Sequence, residues 1–88
     1  MSNPYRVDYS RSAKAALDHL DRGSAVRIVT KLEWLAANAA QYPHEALTGT
    51  WSGYFRYRIG DHRVIYTLNH SAQIIVVERI GHRREIYK

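Results

Sequence analysis

Eighty-eight residues suffice for one small domain, here expected over 1–88, and a hydrophobic fraction of 45% suits a folded globule rather than a disordered chain. The absence of cysteine excludes a disulfide framework and the usual zinc spacings, and no apolar stretch suits a secretory leader or a membrane span, so a cytoplasmic protein with no membrane partner is expected. The formal charge of +5 favours polyanion partners, and its excess is uneven: residues 1–44 carry six Lys/Arg against four acids, while residues 54–88 carry seven against three, plus three histidines.

Taken in chain order, "YRVDY" (5–9) alternates Tyr5, Val7 and Tyr9 against Arg6 and Asp8, the pattern of a half-buried strand. A helix follows, capped by Ser10 or Ser12, with Ala13, Ala16, Leu17 and Leu20 on one face and Gly23 as its stop. Ser24 is the expected cap of a second helix. Its apolar stripe runs Ala25, Ile28, Val29, Leu32, Leu35, Ala36, Ala39, and Pro43 closes the region. So short a connection implies an antiparallel helix pair.

Residues 42–53 read as a loop, after which the period becomes two. "YFRYRI" (54–59) places Phe55, Tyr57 and Ile59 on one face and Tyr54, Arg56 and Arg58 on the other. "GD" (60–61) is a two-residue hairpin signal. "HRVIYTL" (62–68) returns with Val64, Tyr66 and Leu68 opposite Arg63, Ile65 and Thr67. "NHSA" turns again, and "QIIVVERI" (73–80) is nearly continuous in apolar residues, as a strand covered on both faces would be. The expected fold class is α+β, in the order β-α-α-β-β-β: a helix hairpin packed on one face of a small, mainly antiparallel sheet.

The helices are then expected to cover Phe55, Tyr57, Ile59, Val64, Tyr66 and Leu68, leaving Tyr54, Arg56, Arg58 and Arg63 on the open face. Gathered guanidiniums repel each other, so they are either solvated and paired with Glu78 or Glu85, or they form a cradle whose forked donors match phosphate oxygens. "GHRREIYK" (81–88) leaves the last strand beside that hairpin. Arg83 can extend the cradle, and His82 offers an imidazole, the side chain that titrates near neutrality. Tyr87 can stack on a base or act as packing, Ile86 docks the segment, and Arg84 is solvated. His19, His44 and His70 are dispersed and show no metal spacing, so no metal and no cofactor is expected. Trp34 and Trp51 are candidate interface anchors, Trp34 being equally suited to the helix–sheet core.

With "LTGTWSGYFRYRIGDHRVIY", "IIVVERI" and "GHRREIY" in place, the chain resembles the RelE/ParE toxin superfamily on its RelE side, over nearly its whole length. The resemblance implies the toxin of a type II toxin–antitoxin system. Such a toxin enters the ribosomal A site and cuts mRNA by attack of a ribose 2′-hydroxyl on the adjacent phosphate, without metal. A cognate RelB-like antitoxin would hold it inactive in a hetero-oligomer, and operator DNA would be met only through that complex. By the same resemblance Arg63 holds the scissile phosphate, and Arg83 stabilises the transition state or protonates the leaving oxygen. Tyr87 stacks on or orients the mRNA. Arg56 and Arg58 fall at basic positions of the preceding strand, and Tyr54 falls where the family has a lysine. Arginine stays protonated, so proton transfer falls to His82, or catalysis rests on charge stabilisation by Arg56, Arg63 and Arg83 with the ribosome positioning the RNA. The alternatives are a ParE-like inhibitor of DNA gyrase that cuts nothing, and an inactive member that binds only antitoxin or operator.

Overall fold

The computed structural model describes residues 3–87. Strand β1 (Arg6–Tyr9) is followed by helices α1 (Arg11–His19) and α2 (Arg22–Ala37). Next come a two-residue strand β2 (Glu45–Ala46), a 3-10 turn (Gly49–Trp51), and strands β3 (Phe55–Ile59), β4 (His62–Asn69) and β5 (Ile74–His82). The sheet order is β1-β5-β4-β3-β2, with β1 parallel to β5 and every other pair antiparallel. This is the α+β architecture that the hydrophobic periods imply, with one edge strand added.

Both helices lie on one face, α1 against β5 and β1, and α2 against β1 and β3. Ile28, Leu32, Leu35 and Ala36 of α2 bury themselves against Ile59, Val64, Tyr66, Ile75, Val77 and Ile80 of the sheet. Phe55, Tyr57 and Leu68 pack half-buried around that core, as expected. The junction between the helices differs from the sequence expectation. Helix α1 ends at His19 with Leu20 as its C-cap, and Asp21, not Ser24, caps α2 by accepting the Ser24 amide at 3.0 Å. Gly23 therefore lies in the first turn of α2 instead of ending α1. Leu20 turns to extended backbone while its amide closes on the Leu17 carbonyl at 3.3 Å, so α1 ends without a glycine, and Asp21 satisfies an amide that the first turn of α2 leaves unpaired.

Strand β5 carries a β-bulge. Ile65 pairs with Arg79 and Tyr66 with Val77, so Glu78 is the extra residue. A bulge shifts the alternation by one. Ile75 and Val77 face the helices, and beyond the bulge Ile80 does so too, while Arg79 turns to the opposite face. Ser10 fits both neighbours of this irregularity: its hydroxyl donates to the Glu78 carbonyl at 2.7 Å and accepts from the Ala13 amide at 3.0 Å, capping α1.

His44 and His70, dispersed in sequence, come together at the β2 end of the core, with ring centroids 6.3 Å apart. The Nε2 of His44 lies 2.8 Å from the Ala39 carbonyl, which can only accept, and its Nδ1 meets the Tyr66 hydroxyl. Burial pushes the Tyr66 phenol above its ordinary pKa, so that hydroxyl keeps its proton. The Tyr5 hydroxyl meets His70 Nδ1 at 2.6 Å. These histidines satisfy buried tyrosines, and among the described residues no group of His, Cys, Asp or Glu could hold a metal ion. Nor is any described helix long and apolar enough to cross a membrane.

Candidate nucleic-acid interface

The face turned away from the helices is ordered by strand register. One row across β2, β3, β4 and β5 reads Glu45, Arg56, Ile65, Arg79, each opposite the next. The neighbouring row reads Arg58, Arg63, Gly81. Consecutive same-face residues lie roughly 7 Å apart along a strand, and directly opposed ones about 5 Å apart. Arg56, Arg58 and Arg63 thus share one face at close spacing, as alternation implied. The turn that sets this register is of the II′ kind, in which Gly60 takes the positive φ of 58°. Tyr54 sits one residue ahead of β3 instead of within it. Its carbonyl accepts the Leu47 amide, and its ring meets Trp51 edge-on at 5.4 Å.

Segment 83–87 folds back over this face. Strand β5 runs on to His82, so the chain departs at Arg83, two residues later than the sequence suggested. The Arg83 amide donates to the Asp61 carbonyl at 2.8 Å, fastening the segment to the hairpin turn. The Glu85 and Ile86 amides close a turn on the His82 carbonyl. Ile86 is buried and lies over Gly81, where an added Cβ would meet its Cδ1 at 3.2 Å. Ile65 is also fully buried, although it stands outside the helix-side core. The segment therefore gives the open face an apolar floor beside the arginines. Tyr87 is exposed, accepts from Arg56 Nη1 at 3.3 Å, and meets Trp51 at 6.2 Å between centroids.

The guanidiniums are held differently. Arg56 grips both carboxylate oxygens of Glu45, through Nε at 3.2 Å and through Nη2. Arg58 Nη2 stands 3.8 Å from the same carboxylate. Arg63 turns Nη1 onto the Gly60 and His62 carbonyls at 2.8 and 2.9 Å. Arg83 Nε lies 3.9 Å from Asp61 Oδ1. The Glu45 hydrogen bond, and after it that of Tyr87, raises Arg56 above the ordinary arginine range, which rules it out as a base. The hydrogen bond from Arg56 and then the charges of Arg56, Arg58 and Arg63 hold the Glu45 carboxyl below its usual range. The expected partners Glu78 and Glu85 are replaced by Glu45 and Asp61. Glu45 escaped notice because a two-residue strand has no period to read.

Two further residues belong here. Arg79, carried onto this face by the bulge, stacks 4.9 Å over the Trp51 ring and reaches the Ile86 carbonyl at 3.4 Å. Trp51 is thus a floor for the site, whereas Trp34 stands half-exposed on α2, edge-on to Tyr42. His82 is not brought to the arginines. It pairs with His62, whose neighbours in alternation, Val64 and Ile80, face the helices, and its Nδ1 accepts the Arg84 amide at 3.2 Å. Arg84 is exposed, as expected.

The family model described as "ParE toxin of type II toxin-antitoxin system, parDE" matches residues 7–87, and the chain belongs to this family, within the RelE/ParE toxin superfamily. Among solved structures, the toxin–antitoxin complex RelBE2 from Mycobacterium tuberculosis is similar with a TM-score of 0.84 at 22% identity, over 97% of this chain and 98% of that one. The archaeal RelE–RelB complex from Pyrococcus horikoshii follows with 0.74 at 24%, covering 94% and 99%. The isolated Escherichia coli RelE toxin follows with 0.72 at 15%, covering 89% and 83%. Such identities speak for the fold alone. No curated protein matches the sequence.

Proposed function

We propose that this toxin is a ribosome-dependent, metal-independent endoribonuclease that cuts mRNA in the A site. The observation that supports it is the convergence of Arg56, Arg58 and Arg63 from the sheet with Arg83 and Tyr87 from segment 83–87. A scissile phosphate seated on Arg63 and Arg83 would be attacked by the neighbouring 2′-oxygen. The new P–O2′ bond forms as the P–O5′ bond breaks, giving a 2′,3′-cyclic phosphate and a 5′-hydroxyl, and the proton of the 2′-hydroxyl is balanced by one delivered to the 5′-oxygen. The guanidiniums stabilise charge building on the phosphoryl oxygens, while Tyr87 presents an exposed ring on which a base stacks. With His82 turned from the arginines, the reading leans on charge stabilisation and on positioning by the ribosome. The toxin–antitoxin complexes that share the fold support a cognate RelB-like antitoxin as partner. Operator DNA would be met only through such a complex.

A second reading is favoured by the family model itself, which is described for ParE toxins: a non-nuclease that inhibits DNA gyrase. Primer extension on a translated mRNA after brief expression separates the two. Cuts within codons are expected, falling on the order of a hundred- to a thousandfold in Arg63→Ala or Arg83→Ala. Intact mRNA with gyrase-linked DNA breaks would replace the first reading by the second.

A further inference from the structure

We propose that Glu45 is a built-in competitor for the anion site: its carboxylate fills the seat of an RNA phosphate between Arg56 and Arg58, and RNA binds by displacing it. This deepens the reading of the open face as an RNA site and rests on it. Glu45 stands directly opposite Arg56 at the sheet edge, and Arg56 meets its two oxygens with two different nitrogens. That fork-on-fork match is the one arginine offers equally to the non-bridging oxygens of a phosphodiester. Arg58 approaches the same oxygen, and the charge of Arg63 acts on it as well. One carboxylate thus holds together cations that would otherwise repel across β3 and β4.

The carboxylate is also placed to leave. Its strand is two residues long and is paired on one side only, to β3. Both residues of the strand are exposed, and exposed ion pairs contribute little to folding. A phosphodiester entering over Tyr87 therefore exchanges one oxygen pair for another on the same guanidinium. Arg56 keeps its partner count, and Glu45 swings out to solvent. The affinity for RNA is then set by the difference between two anions rather than by the full strength of the arginine cluster.

The test uses the whole folded chain and a fluorescent 2′-deoxyuridine oligomer, which lacks the attacking hydroxyl and so reports binding without cleavage. Anisotropy titrations of Glu45→Gln and Glu45→Ala are expected to show roughly fivefold tighter binding than the unaltered chain, the equivalent of releasing one exposed ion pair. Glu33→Gln makes the same charge change on α2 and is expected to leave binding unchanged. Equal, weaker or undetectable binding by both Glu45 variants overturns the proposal, as does equal tightening by Glu33→Gln, which would assign the effect to net charge. Absence of mRNA cuts alongside tighter binding by the Glu45 variants would remove the nuclease reading and leave this one standing.

Discussion

Asp21 accepts the Ser24 amide at the start of α2, and the hydrogen bonds from Ser24 hold its carboxyl below the ordinary range. A group whose folded pKa is depressed contributes stability that is complete above its unfolded value, about 3.9, and is lost as the pH falls through the folded value. The melting temperature of Asp21→Ala should therefore lie below that of the unaltered chain by a constant gap from neutrality down to about pH 5, and the gap should close in stronger acid. A gap independent of pH throughout would assign the effect to helix propensity instead. The capping role was open in the sequence because Ser10, Ser12, Asp21 and Ser24 are all cap formers within fifteen residues, and only the geometry of the connection selects Ser10 and Asp21. The arginines were easier: period two is a strong constraint, so Arg56, Arg58 and Arg63 fall on one face once the hairpin turn is placed. The side on which His82 stands was not legible, because a terminal strand residue reads as loop, and extending β5 by two residues assigns it to the face of Ile80.

Gly81 sits at the meeting of β5 and segment 83–87. A Cβ there would come within 3.2 Å of Ile86 Cδ1, closer than neighbouring carbon atoms ordinarily settle, so one of the two must give. Gly81 is fixed within the sheet opposite Arg63, whereas the segment is held by turn amides, by the side chains of Arg56 and Arg79 and by buried Ile86, contacts that can shift more readily than a strand can. Gly81→Ala is accordingly expected to lift Ile86 and Tyr87 and to lower mRNA cleavage at least tenfold, while denaturant unfolding shifts by less than about 1.5 kcal/mol, the ordinary cost of a small packing change. A loss of stability without loss of cleavage would show that the segment does not serve the site. The bulge at Glu78 is the counterpart inside the strand. Nothing in "IIVVERI" reveals it, since a continuous apolar run carries no alternation whose phase could be seen to slip. For that reason Arg79, which the slip turns toward Trp51, was not among the residues expected at the site.

Across the molecule, the two faces of one sheet carry separate tasks. The helix side holds nearly all the buried apolar residues, and the opposite side collects Arg56, Arg58, Arg63 and Arg79 from three adjacent strands. Architecture was legible at this scale because helices and strands have different hydrophobic periods. What could not be read was how the two ends of the site find each other, which depends on a contact made by main-chain atoms. The amide of Arg83 is bound to the carbonyl of Asp61, and that bond does not depend on which side chain residue 83 carries. Position 83 therefore allows a clean genetic separation of chemistry from scaffolding. Arg83→Ala removes the guanidinium and keeps the latch, whereas Arg83→Pro removes both, because proline has no amide hydrogen to give. Amide hydrogen exchange should speed up across residues 85–87 in the proline variant and stay near the unaltered rate in the alanine variant. An alanine variant that is equally unprotected would mean that the side chain, and not the backbone, is the clasp.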